Sequence, residues 1–284
     1  MIDSPVSVAR EPRPRPRPRS TTLASALVLA LAGFGTLPAQ DPAAPAPVSR
    51  PASSPAIRDV SPELAAIAAK RKVPGLVALR LDGRAVSARG VAGVRRRGAP
   101  DPATLDDRFH LGSCTKAMTA ALCAKLVEDG VLRFDRTLGD SFGDAAGPPD
   151  GPWRKIPLAD LLSNVAGVPG DLSPRGVWER LWTFEGGPYD ARRLLLTELV
   201  AGPKPRASRE AYEYSNAGFA LAGHMAEAAA GMPYERLITE RIFRPLGMTT
   251  AGFGAPDGKD AACGHRADGT VVLPGPERSE ERRV

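Results

Sequence analysis

Ser113 and Lys116 lie three residues apart in the stretch HLGSCTKAMTAALCAKLVEDGVLRFD, which runs from His110 to Asp135. A serine hydroxyl becomes a useful nucleophile when a neighbouring base takes its proton, and a neutral amine held close by can be that base. A helix would bring the pair together, because groups at i and i+3 are neighbours on one face. The positive end of the helix dipole and partial burial would each disfavour an ammonium at that point. On a solvated surface the same residues would be an N-capping serine followed by an ordinary lysine.

A second constellation lies about a hundred residues on, in REAYEYSNAGFALAGHMAEAAAG. Tyr214 and Asn216 are two residues apart just before an expected amphipathic helix running from about Ala217 to Ala230, with Leu221, Met225 and Ala228 on one face. A phenol at that point could relay protons, alone or through a proton shared with Lys116. The Asn216 carboxamide offers both a donor and an acceptor to an acyl substituent. The plainer alternative is that Asn216 caps the helix and Tyr214 packs against the core.

These groups need elements to hold them. Met118, Ala121, Leu122, Leu126 and Val127 recur at helical intervals after Ser113, and Gly130 sits where a C-terminal cap belongs. Upstream, SPELAAIAAKRKVPG predicts a helix from about Pro62 to Lys70 with Ser61 as its N-cap. LVALRLDGRAVSARGVAGV alternates apolar and polar residues on both sides of Asp82-Gly83, the pattern of a β-hairpin. The rest is mostly helical, interrupted by GDAAGPPDGPW. Helix and hairpin first, helices afterwards, predict an α+β arrangement in which an antiparallel sheet carries a helical domain.

The chain has 284 residues and 43% hydrophobic content, enough for a sizeable core. Its first forty residues differ from the rest: REPRPRPRPRS is a proline-spaced basic run, and TTLASALVLALAGFGTLPAQ is uncharged and apolar. They read as a signal peptide over residues 1–40, cleaved after Leu37-Pro38-Ala39 or Ala44-Pro45-Ala46, so the expected location is secreted or periplasmic. The alternative is an uncleaved N-terminal membrane anchor. The apolar run from about Leu23 to Leu37 is shorter than the roughly 20 residues a membrane span needs, so no stable span is expected after cleavage.

Five arginines against Asp3 and Glu11 make these first forty residues +3, half of the formal +6. What remains is only mildly basic, and the arginine run is better read as targeting than as a nucleic-acid arm. Residues 41–57 form a Pro/Ala/Ser-rich linker, and residues 58–284 are the folded domain. Cys114 and Cys123, nine residues apart on one helix, point to opposite faces and should not pair. His110, His224 and His265 show no metal-ligand spacing, so neither a metal nor another cofactor is expected.

Together, RFHLGSCTKAMTAALCAKLVEDGVLRFDRTLGD, YEYSNAGFALAGHMAEAAAGMPYERL and ITERIFRPLGMTT resemble, in order, blocks of the serine beta-lactamase-related family. That family includes class C beta-lactamases, D-alanyl-D-alanine carboxypeptidases and related esterases, and the resemblance covers roughly Ser61 to Thr250. It implies a beta-lactamase/transpeptidase-like fold and a serine acyl-enzyme mechanism. Ser113 would be the nucleophile, Lys116 its activating neighbour, Tyr214 the general base or acid partner and Asn216 a substrate contact. The Ser113 N–H would form half of an oxyanion hole. Candidate substrates are a cell-wall peptide, a beta-lactam or a small ester.

Two departures accompany the resemblance. LLSNVAGVPGD stands where relatives carry a His-Thr-Ser-Gly-type stretch, a change expected to alter the cleft without touching a catalytic group. Downstream, nothing matches the family's third motif, Lys-Thr-Gly or His-x-Gly; CGHRADG has the histidine without the spacing. The chain is therefore expected to be truncated, its C-terminal strands missing or supplied by a partner chain. Its alternative role is that of a catalytically impaired fragment or relative that binds cell-wall peptide or a protein partner.

Overall fold

Alternation of apolar and polar residues about Asp82-Gly83 produces the hairpin: strand β2 (Gly75–Asp82) pairs antiparallel with β3 (Ala85–Gly93). The two-residue loop has its positive φ, +60°, at Gly83, the first position, as in a type II′ turn. The structure is a computed structural model that describes residues 56–203, 205, 211–254 and 261–272. The expected signal peptide and nearly all of the linker lie outside the described residues. A two-residue strand, β1 (Arg58–Asp59), adds to β3 in parallel, a pairing too short to leave a periodic signal. The sheet order is β1-β3-β2, and Leu79 and Leu81 on β2 are exposed. β4 (Gly264–His265) and β5 (Val271–Val272) make a separate antiparallel ladder beside the sheet, where the Cys263 N–H donates to the Arg95 carbonyl at 3.0 Å.

Helix α1 (Ser61–Arg71) packs on β3. The sequence predicts Ser61 as its N-cap, but Val60 holds that position. The Ser61 hydroxyl instead donates to Asp59 Oδ1 at 2.6 Å and accepts from the Val91 N–H at 3.1 Å, joining helix to sheet. A local acceptor, Asp59, and a tertiary donor, the Val91 N–H, have outcompeted the cap.

The helical part consists of α2 (Thr115–Glu128), α3 (Leu138–Phe142), α4 (Leu158–Leu162), α5 (Val177–Thr183), α6 (Pro188–Val200), α7 (Asn216–Ala230) and α8 (Tyr234–Ile238). A π-helical turn, Thr239–Phe243, extends α8. Every residue of α7 from Ala217 to Glu227 is buried, and α2, α3, α4, α6 and α8 all touch it. A helix that is apolar on all sides must be surrounded in this way. α2 stops as its sequence requires, with Gly130 at a φ of +72° just past the Asp129 C-cap. Among the described residues no helix is long and apolar enough to cross a membrane.

Polar groups also meet inside this bundle. Glu227 of α7 accepts from Arg192 Nε of α6 at 2.8 Å, from Arg192 Nη2 and from the Tyr234 N–H at 2.9 Å, and lies 3.0 Å from His224 Nδ1. Arg192 Nη1 also reaches Glu235 at 3.1 Å, and the His224 ring stacks on Phe142 with centroids 4.6 Å apart. Burial pushes the Glu227 carboxyl up, but hydrogen bonds from His224 and Arg192, the Arg192 charge and the Tyr234 N–H together hold it below its ordinary value. A carboxyl lowered in the folded state adds stability above its unfolded value of 4.5, and that stability is lost as pH falls through its folded value. Urea denaturation from neutral pH down through the carboxylate range should therefore show Glu227→Gln less stable at neutral pH and flatter on the acid side than the wild type. Glu227→Ala, which strips a buried guanidinium of its main partner while leaving Glu235, should cost about 3 kcal/mol.

Candidate active site

The nucleophile candidate stands on a tight turn. Gly112–Cys114 form a 3-10 turn that runs directly into α2, with Gly112 at a φ of +53°. Ser113 and Lys116 consequently share one side, and Lys116 Nζ donates to Ser113 Oγ at 3.2 Å. Tyr214 and Asn216 come from the start of α7, where Ser215 is the N-cap and its hydroxyl accepts from the Gly218 N–H at 3.0 Å. Asn216 is thus the first helical residue rather than the cap.

The two segments meet. Tyr214 Oη donates to Ser113 Oγ at 2.5 Å, and Lys116 Nζ donates to Asn216 Oδ1 at 2.5 Å. Lys116 Nζ also lies 4.8 Å from the Tyr214 ring centroid and 5.6 Å from that of Phe219, so a cation faces two aromatic rings. All four residues expected from sequence therefore form one cluster. The Tyr214 oxygen is bonded to Ser113, and Lys116 engages the ring of Tyr214. Ser113 and Tyr214 are exposed, while Lys116 and Asn216 are half-buried, so the cluster opens to solvent on the nucleophile's side.

What sets the spacing is the packing of α2 on α7. Leu122, Cys123 and Leu126 of α2 and Leu221, Ala222 and Met225 of α7 belong to one buried cluster, and Cys123 Sγ lies 4.0 Å from the Ala222 carbonyl oxygen. Thr119, one turn beyond Thr115, shares a buried 2.8 Å hydrogen bond with the Tyr234 hydroxyl of α8.

The loop after α4 reaches the site indirectly: Asn164 bonds to the two residues that flank Tyr214. Its carbonyl accepts from the Glu213 N–H at 2.8 Å, and its Oδ1 accepts from the Ser215 N–H at 3.0 Å. The only local sign of this was an asparagine at the end of a short helix, where a left-handed backbone is common. Which strand of chain it would meet has no sequence signature.

The beta-lactamase family model matches residues 60–282 of this chain. The chain belongs to the beta-lactamase family. Penicillin-binding protein 4 of Amycolatopsis lactamdurans is 29% identical over 157 residues, covering 55% of this chain and 39% of its own length. The D-alanyl-D-alanine-carboxypeptidase/endopeptidase AmpH of Escherichia coli strain K12 is 28% identical over 144 residues, covering 51% of this chain and 36% of its own. Among solved structures, the octameric penicillin-binding protein homologue from Pyrococcus abyssi superposes with a TM-score of 0.60 at 25% identity, over 76% of this chain and 50% of that one. The match to the curated relatives thus spans about two-fifths of their length. Beta-lactamase-family membership and the α+β fold agree with the resemblance carried by the Ser113 and Tyr214 blocks.

The cysteines of this family member make the α2–α7 contact measurable. Cys114 is exposed, and burial pushes the Cys123 thiol up to about 12. Iodoacetamide should alkylate Cys114 in the native protein and leave Cys123 unmodified until the protein is denatured. Native labelling at Cys123, read by peptide mass spectrometry, would contradict the packing of α2 on α7.

Proposed function

We propose that this protein is a serine hydrolase that cleaves an amide or ester through an acyl-enzyme on Ser113. The observation that carries the proposal is the double contact of Ser113 Oγ with Tyr214 Oη at 2.5 Å and Lys116 Nζ at 3.2 Å. Attack on a carbonyl requires that Oγ release its proton, and these two groups are within transfer distance. We assign the transfer to Tyr214: as a phenol it donates to Ser113 Oγ, and once that proton is lost the phenolate can accept the one from Ser113. Lys116, as an ammonium beside the ring and tied to Asn216 Oδ1, stabilises negative charge on the phenol oxygen.

In the first half-reaction Ser113 Oγ bonds to the carbonyl carbon while its proton passes to Tyr214 Oη. The same proton then goes to the leaving nitrogen or oxygen as the carbon–heteroatom bond breaks. In the second, water attacks the acyl-enzyme and gives a proton to Tyr214, which returns it to Ser113 as the carboxylic acid departs. The Ser113 N–H, at the start of a helical segment where N–H groups have no partner within the helix, would face the oxyanion. Asn216 would contact the acyl substituent through its carboxamide.

The names of the relatives support a substrate from the cell-wall peptide and beta-lactam class, with a small ester as a third candidate. Residues 1–40, with their basic run before an apolar stretch, support action outside the cytoplasm, as a secreted or periplasmic protein or from an N-terminal anchor.

Intact-mass analysis after incubation with benzylpenicillin, and separately with a fluorophosphonate, tests this reading. Ring opening should add the whole mass of the penicillin, the phosphonate should add its mass less hydrogen fluoride, and Ser113→Ala should abolish both adducts. Tyr214→Phe should slow adduct formation by about 10²–10⁴-fold, the usual range for losing a positioned acid or base. Folded wild-type protein that forms no adduct with either reagent would point instead to a relative that binds cell-wall peptide or a protein partner without chemistry.

A further inference from the structure

The geometry points to Asn164 as a positioning residue: it holds the chain on both sides of Tyr214 so that the phenol meets Ser113. The kinetic part of this assignment rests on the hydrolase reading above. Asn164 performs three tasks at one position. Its φ of +56° is one of two positive values among the described non-glycine residues, and it follows the end of α4, where its N–H donates to the Leu161 carbonyl at 3.2 Å. Asparagine tolerates this left-handed backbone better than most residues do. From there its carbonyl reaches the Glu213 N–H at 2.8 Å and its Oδ1 the Ser215 N–H at 3.0 Å, so the backbone of Tyr214 lies between two amides bonded to the same residue.

The remainder of the loop closes around the same segment. The Gly170 N–H donates to Glu213 Oε1 at 2.9 Å, and the Ser215 hydroxyl donates to the Pro169 carbonyl at 2.9 Å. Gly170 is required here by close approach, since a Cβ at that position would lie 2.5 Å from the Tyr214 carbonyl oxygen. Tyr214 itself is 43% exposed, so the core does not pack its ring into place. Lys116 and Ser113 meet the side chain, and the backbone that carries it to them is held by the loop that Asn164 begins. The same clamp sets the start of α7 and with it Asn216, whose Oδ1 receives Lys116.

Three residue types separate the tasks. Glycine keeps the left-handed backbone and the carbonyl but loses Oδ1. Aspartate keeps all three features. The wild type, Asn164→Gly and Asn164→Asp are therefore compared in their rate of Ser113 acylation by benzylpenicillin over a range of concentrations, and crystal structures are determined for the wild type and Asn164→Gly. Asn164→Gly should lower the limiting acylation rate by about 10–100-fold with the half-saturating concentration changed by less than about threefold, because a misplaced proton carrier affects the chemical step more than binding. Asn164→Asp should stay within about threefold of the wild type, and the glycine structure should show Tyr214 Oη out of hydrogen-bond reach of Ser113 Oγ. Wild-type speed in Asn164→Gly, equal loss in Asn164→Asp, or an unmoved Tyr214 in the glycine structure would each overturn the assignment. If the wild type is not acylated at all, the hydrolase reading fails, and the position of Tyr214 in the two structures alone decides the role of Asn164. If Asn164→Gly does not fold, hydrogen exchange in the wild type decides: the Ser215 amide should be protected, and exchange at the rate of a free amide would overturn the proposal.

Discussion

The packing of α2 on α7 is the constraint on which the site depends. Lys116 belongs to the first of these helices and Ser113 to the turn that leads into it, Asn216 to the second and Tyr214 to the segment just before its N-cap, and no local feature of either segment fixes the distance between them. That distance comes from a buried interface in which Leu122, Cys123 and Leu126 share a core with Leu221, Ala222 and Met225. Close packing allows little adjustment, since interiors have few voids and changes of a single methylene are felt. The small residues of α7, alanine at 217, 220, 222 and 226, leave room for neighbours on every side. A helix enclosed on all sides is a firm base for the side chains at its first turn.

Polar interactions complete what apolar packing begins. Glu227 gathers Arg192, His224 and the Tyr234 N–H in the interior, and so ties α6, α7 and α8 into one unit. The value of such a network lies less in net stabilisation than in the cost of leaving any member unpaired, which excludes alternative packings. Tyr234 then passes the order on, because its hydroxyl meets Thr119 on the helix that follows Ser113. A continuous set of contacts thus leads from the centre of the bundle to the nucleophile's own helix.

At the surface the same problem is solved differently. Tyr214 is exposed, and hydrogen bonds between the loop Asn164–Gly170 and Glu213 and Ser215 hold the backbone on either side of it. Val165 and Ala166 place apolar groups where the polar residues of relatives were expected, and Ala166 is buried in the core cluster. The loop therefore buries Ala166 and Val168 in the core while its backbone bonds to Glu213 and Ser215.

The local elements were legible in the sequence because their signals are local. The hairpin about Asp82-Gly83 and the helix after Ser113 with its stop at Gly130 follow from periodicity and from residues suited to a turn or cap, and so does the presence of a helix after Tyr214, but not its burial from Ala217 to Glu227 or the exposure of Ala228. The four residues of the candidate site were legible as well, through their spacing and through the blocks that resemble the family. Elements that depend on a distant partner were not: Ser61 accepts from the Val91 N–H instead of capping α1, β1 pairs in parallel over two residues, and Asn164 holds the neighbours of Tyr214 from about fifty residues away. By itself the sequence determined which residues could carry chemistry and which segments would be helix or strand, since backbone preference and side-chain type are properties of short stretches. Only the tertiary structure decided which oxygen meets which nitrogen in the site, because those distances follow from the way buried surfaces fit, a property of pairs of segments that neither one encodes alone.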